Sequence, residues 1–117
     1  MAELVTVVDI IQERAVRAAK KYDCNYERDY RDLLLDEEID MIHICTPHHL
    51  HDKMAVDFLK TGKDLLVEKP MAIGVKEAEK MIETVRSEKR RLGVVLQNRY
   101  NLNLRRAKEI LQNVYIK

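Results

Sequence analysis

Glycine is scarce in this chain: Gly62, Gly74 and Gly93 are its three glycines among 117 residues, and each stands alone. That excludes a phosphate-cradling loop of the form G-x-G-x-x-G, which needs three glycines within six positions. Tryptophan is absent, phenylalanine occurs once and proline twice, at Pro47 and Pro70. Any core is therefore aliphatic, and few helices are interrupted. Cys24 and Cys45 form no C-x-x-C pair, which excludes a disulfide-stapled scaffold. Both are read as reduced and structural, with Cys45 acting as a small hydrophobe in an apolar strand. Neither sign of charge dominates, since 21 Lys and Arg face 20 Asp and Glu for a net charge of +1, interspersed along the chain. Nothing in that pattern attracts nucleic acid or an anionic membrane surface. No apolar run approaches the roughly 20 residues of a membrane span, and Met1 to Val5 lacks a basic segment followed by an apolar one. A cytoplasmic location is the expectation.

A hydrophobic content of 46% over 117 residues suffices for one core. Residues 1–117 are read as a single domain. Leu4 to Val8 is a β-branched apolar run of the kind buried in a parallel sheet, and it stops at Asp9. Ile11, Ala15, Ala18, Ala19 and Tyr22 follow at helical spacing, with side chains small enough for close helix-on-sheet packing. Cys24 to Tyr26 is read as a short edge strand, Tyr30 to Asp36 as a short helix, and Ile39 to Cys45 as a strand halted by Thr46-Pro47. The stripe of Leu50, Met54, Ala55, Phe58 and Leu59 predicts a helix ended by Thr61-Gly62, where glycine accepts the left-handed conformation. Leu65 to Val67 is the next strand, Val75 to Val85 a helix, Leu92 to Leu96 a strand and Leu104 to Val114 a last helix.

Strands alternating with helices imply βαβ units and an α/β, three-layer open parallel sheet of about five strands. Ligands of such sheets bind beyond the carboxyl ends of the strands. Asp9, Thr46-Pro47, Glu68-Lys69 and Gln97-Asn98 all fall at those ends, so one rim should collect them.

Taken together, Val7-Val8-Asp9, Thr46-Pro47-x-x-x-His51, Gly62-Lys63, Glu68-Lys69-Pro70 and Gln97 to Asn101 resemble the cofactor domain of the Gfo/Idh/MocA oxidoreductases, over the whole chain and in order. The resemblance implies a Rossmann-like domain without its first strand and glycine loop, and without the C-terminal domain that holds the sugar. It implies NAD as cofactor, held weakly or lost here, and an ancestral activity on CH–OH groups of sugars or cyclitols. Asp9 then matches the acid that binds the adenosine ribose and disfavours a 2'-phosphate; its other reading is a helix cap. Lys69 matches the catalytic lysine, flanked by Glu68 and by a Lys69–Pro70 bond that is often cis in the family; its other reading is an ordinary strand-to-loop turn. Thr46, Pro47 and His51 match the loop along the dinucleotide, with His48 where asparagine is usual. Asn98 matches a segment near the nicotinamide, or else it helps cap the last helix. His43, His48, His49 and His51 are read as holding no metal, because no carboxylate or thiolate stands at a convincing ligand spacing.

The Rossmann strand order is 3-2-1-4-5-6, so a missing first strand leaves two unpaired edges. The expectation is closure by pairing Leu4–Val8 with Ile42–Cys45, in the flavodoxin-like order 2-1-3-4-5, with the last helix covering the bared face. A paired or swapped homodimer is the rival. In function, the reading is a cofactor domain without complete activity of its own. The alternatives are a nucleotide- or partner-binding module, and one half of a split dehydrogenase completed by another polypeptide. Nucleic acid and membrane are not expected partners.

Overall fold

The computed structural model describes residues 2–114. The β-branched run near the start forms strand β1, Thr6–Val8. Helix α1, Gln12–Tyr22, buries Ala15 and Ala19, whose small side chains let it lie close on β1 and on β2, Asn25–Glu27. β2 runs parallel to β1 with Val7 opposite Tyr26. A single 3-10 turn, Tyr30–Leu33, follows, opened by Asp29, whose carboxylate accepts the Arg31 N–H at 3.0 Å.

The second half is more regular. Strand β3, Met41–Ile44, helix α2, His51–Lys60, strand β4, Asp64–Val67, helix α3, Val75–Ser87, and strand β5, Leu92–Val94, build a parallel sheet of order β3-β4-β5. Ile42 and Ile44 sit opposite Leu65 and Val67, so these four turn to one face. α2 covers them with Met54, Ala55, Phe58 and Leu59, and α3 adds Met81. Gly62 ends the α2 segment at φ 85°, the left-handed value expected for it. Helix α4, Leu102–Val114, is started by Asn101, whose Oδ1 accepts N–H bonds from Asn103 at 2.9 Å and Leu104 at 3.3 Å. The capping reading of the Asn98–Asn101 segment is thus right for Asn101.

The expected flavodoxin-like closure does not occur. β1 pairs only with β2, β3 pairs only with β4, and the strands form a two-stranded and a three-stranded parallel sheet. The segment between β2 and β3 is tied to the α2 side of the molecule. Leu33 and Ile39 are buried in the α2 core, with Tyr30 and Val5 packed against it. The Tyr30 hydroxyl donates to Asp57 on α2 at 2.7 Å, and Lys53 donates to both at 2.9 Å. Burial pushes the Asp57 carboxyl up, but the Lys53 and Tyr30 hydrogen bonds outweigh it and hold the group below its usual range. Buried Lys63 donates to the Asp36 and Ile39 carbonyls, the latter at 3.0 Å.

The last helix also departs from expectation. α4 makes its main contacts with the Gln97–Tyr100 turn, and Leu102, Leu104, Ile110 and Leu111 stay exposed. It covers no sheet face, because a helix starting at Asn101 is carried away from β5 by that turn. The radius of gyration, 17.3 Å, reflects the projection, since a compact chain of this length has about 13 Å. No helix among the described residues is long and apolar enough to cross a membrane.

Asp64 clamps the starts of β4 and β5, accepting the Arg91 N–H at 2.8 Å and its Nε at 2.7 Å. These hydrogen bonds hold the carboxyl below its usual value. A carboxyl depressed in the folded state adds stability above its unfolded value of about 3.9, and that stability fades as pH falls through the lower folded value. Asp64→Asn is therefore expected to cost about 1 kcal/mol at pH 7, discounted for the exposed Arg91 side chain. Urea unfolding at several pH values should show the difference shrinking toward strongly acidic pH.

Candidate functional site

The hydrogen-bond alternation of β1 and β3 defines the central feature of the site. The Asn25 N–H donates to the Val5 carbonyl at 2.9 Å and the Asp9 N–H to Glu27 at 3.3 Å, so Val5, Val7 and Asp9 turn their backbone groups to β2. Thr6 and Val8 must then turn theirs away from it. On β3, the carbonyls of Asp40 and Ile44 accept from Asp64 and Glu68 at 3.0 Å, which leaves Met41 and His43 with backbone groups aimed away from β4. β1 and β3 thus each keep one unpaired edge among the described residues, and the break between their two sheets is the slot that no described strand fills. Val8, Ile10, Ile11 and Met41 lie exposed along it. Read across the slot, the order is β2-β1-slot-β3-β4-β5. Successive strands are added outward in opposite senses from it, β1 to β2 on one side and β3 to β4 to β5 on the other, which is the switch point where open α/β sheets bind ligands.

Asp9, Thr46-Pro47, Glu68-Lys69 and Asn98 each come after the carboxyl end of a strand. Asp9 follows β1; its Oδ1 accepts the Ile11 N–H at 2.8 Å, steadying the entry to α1. Oδ2 has no protein partner among the described residues, so the capping bond and a free acceptor coexist. Thr46 and Pro47 follow β3, with the Thr46 hydroxyl 3.4 Å from the Met54 sulfur and Pro47 exposed. Glu68 and Lys69 follow β4, and Lys69 is exposed. The Lys69–Pro70 peptide is cis. Asn98 is exposed in the turn after β5.

His51 has a different place from the rest. Its ring is fully buried, with Nε2 at 2.8 Å from the Thr46 carbonyl and Nδ1 at 2.9 Å from the Pro70 carbonyl. Both ring nitrogens lie against protein carbonyls, and the neutral ring, with one N–H, donates to one of the two at a time. It ties the loop after β3 to the loop after β4 and thereby positions the rim. Its signal in sequence is a histidine three, four and seven residues before Met54, Ala55 and Phe58, on the apolar stripe of α2. Lys63 was legible only as part of a motif; its burial against two carbonyls depends on contacts 24 and 27 residues away in sequence.

The histidines and cysteines also depart from expectation. His43, Cys45 and Glu68 place one ligand atom each within 4.8 Å of one another, so a carboxylate and a thiol do stand beside a histidine. Cys45 is exposed rather than packed as a hydrophobe. Partial burial of its sulfur, and then the Glu68 carboxylate, push its thiol above the usual value.

A parallel α/β sheet with a polar rim at an open switch point defines the class of nucleotide-binding Rossmann domains. Residues 1–96 match the Gfo/Idh/MocA profile, described as an oxidoreductase family with an NAD-binding Rossmann fold, and the chain belongs to that family. The chain is 29% identical over 114 residues to inositol 2-dehydrogenase of Salmonella typhimurium, covering 95% of this chain and 34% of that protein. It is 34% identical over 95 residues to the NADP-dependent scyllo-inositol 2-dehydrogenase IolU of Bacillus subtilis, covering 80% and 28%. The WlbA dehydrogenase of Chromobacterium violaceum, solved with NADH and UDP-GlcNAcA, superimposes with a TM-score of 0.90 at 28% identity, covering 96% of this chain and 32% of that one. The chain thus spans about a third of the length of the relatives it matches.

Proposed function

We propose that this chain forms the larger part of the dinucleotide-binding domain of an NAD-dependent dehydrogenase acting on a CH–OH group of a sugar or cyclitol, with no turnover of its own. The observation that carries the proposal is the strand order, interrupted at the switch point with Asp9 on one side and Lys69 on the other. The residues present fit one end of the cofactor. The free Oδ2 of Asp9 can accept from ribose hydroxyls, and its charge disfavours a 2'-phosphate, so NAD is preferred to NADP. The pyrophosphate end is not provided for: no glycine-rich turn among the described residues offers backbone N–H groups to it. NAD supplies the hydride acceptor when bound. Lys69 is the group that takes up the proton of the substrate hydroxyl at Nζ, and His51 holds its loop against the Thr46 loop.

The slot accounts for the missing end. Thr6, Val8, Met41 and His43 turn backbone donors and acceptors away from their paired strands, and a parallel strand bonded to them and leading into a glycine-rich turn and a helix would deliver the pyrophosphate cradle beside Asp9. A strand of that kind, whichever polypeptide supplies it, is the occupant proposed, in preference to a second copy of these 117 residues, which carry no glycine-rich turn.

The test is a calorimetric titration of NADH into the chain alone and into the chain mixed with a polypeptide of strand, G-x-G-x-x-G and helix. Binding of NADH is expected at micromolar strength only in the mixture, and weaker in Asp9→Ala. Micromolar binding by the chain alone and insensitive to Asp9→Ala would overturn the assignment of the rim. A mixture that forms the complex by sedimentation yet binds no NADH would overturn the dinucleotide reading. Equally tight AMP or FMN binding, indifferent to the nicotinamide, would favour a nucleotide-binding module instead.

A further inference from the structure

His43 and Cys45 are two residues apart on one strand, so their side chains leave the same face of the sheet, opposite to buried Ile44. The β3-β4 register pairs His43 with Leu66 and Ile44 with Val67, which puts Glu68 level with Cys45 on that same face. The result is an imidazole, a thiol and a carboxylate converging from two hydrogen-bonded strands. His43 Nε2 lies 3.7 Å from Glu68 Oε1, and all three ligand atoms lie within 4.8 Å of one another. Zinc ligands at bond lengths of about 2.0–2.3 Å in a tetrahedron stand about 3.3–3.6 Å apart, so the histidine and carboxylate are already near their places and the sulfur needs a small side-chain adjustment.

We infer that His43, Cys45 and Glu68 form a three-ligand site for a divalent cation of the zinc class, with the fourth position open to solvent. Three features argue for this. The donor set of one nitrogen, one sulfur and one oxygen is that of a borderline cation, whereas magnesium and calcium take oxygen alone. The ligands come from the ends of two paired strands, whose backbone is fixed by the ladder, so little order has to be created on binding. His43 and Cys45 are exposed and Glu68 is half-buried, so an ion in solution can reach them. The site does not depend on the dinucleotide reading, since it lies wholly within the β3-β4 pair.

Cobalt(II) titration of the whole chain, under a thiol-free reductant, tests the inference. The expected result is the visible absorption of four-coordinate cobalt with a near-ultraviolet thiolate-to-cobalt band, saturating at one equivalent and erased by one equivalent of zinc. Cys45→Ser should abolish the thiolate band, and His43→Ala and Glu68→Gln should each weaken zinc by about tenfold or more through loss of a ligand. Cys24→Ser and the double variant His48→Ala, His49→Ala should leave the titration unchanged. Circular dichroism of each variant separates a lost ligand from a lost fold. A six-coordinate cobalt spectrum, a thiolate band that survives Cys45→Ser, or a signal that disappears with His48 and His49 would each overturn the assignment.

Discussion

Replacing His51 by alanine is expected to lower the unfolding free energy by about 2–4 kcal/mol. The ring is completely buried, and its two nitrogens occupy the carbonyls of Thr46 and Pro70. Truncation leaves both carbonyls without that partner and opens a cavity beneath the rim; an unmet buried polar group costs about 1–3 kcal/mol. The change should appear as a lower urea midpoint with an unchanged slope. His51→Gln, which can reach one carbonyl, should recover part of the loss. A cost below about 0.5 kcal/mol, the level of an ordinary surface substitution, would show that His51 does not hold the two loops together. The same variant should weaken NADH binding in the complemented protein more than His49→Ala does, because His49 is exposed and bonds neither loop.

Phe58→Ala is expected to cost more, about 3–5 kcal/mol, the range for an aromatic side chain removed from a packed core. Phe58 is the one phenylalanine of the chain and is 1% exposed. It stands where the two halves meet, since its ring contacts that of Tyr30 at 5.6 Å between centroids, and Leu33 and Ile39 share its cluster. Its loss therefore loosens the β1-β2 half from the β3-β5 half as well as hollowing the core. Thermal unfolding should fall by tens of degrees or become non-cooperative, and Phe58→Leu should restore most of the stability because it keeps most of the volume. A two-state transition with a near-unchanged midpoint would mean that the halves are held together elsewhere.

Both variants act on contacts that bring distant segments together, and those contacts were the least legible in sequence. The local elements were legible because each is set within a few residues. Ala15 and Ala19 recur at helical spacing on α1, Gly62 ends the α2 segment in the left-handed region, and Pro47 stops the extension of β3. The polar rim followed from the same local reading, since Asp9, Thr46, Glu68 and Asn98 come directly after the apolar runs that became strands. What failed was pairing. An unpaired edge on β1 and another on β3 suggested that they would meet, because the backbone groups of one could satisfy the other. Tyr30 and Lys63 join the 30–39 segment to the rest of the core through partners 24 to 27 residues away, which carry no periodic signal.

From sequence alone came the α/β class, the order of elements, the family and the set of residues at the strand ends, because these depend on the period of apolar residues and on motifs read in order. Tertiary structure alone decided three things. It left β1 and β3 unpaired with each other, while side-chain ties hold the 30–39 segment to α2 and Lys63. It buried His51 as a tie between the loops after β3 and β4, because α2 carries it under them. It brought Glu68 beside His43 and Cys45, because cross-strand register is a long-range property that no spacing along the chain encodes.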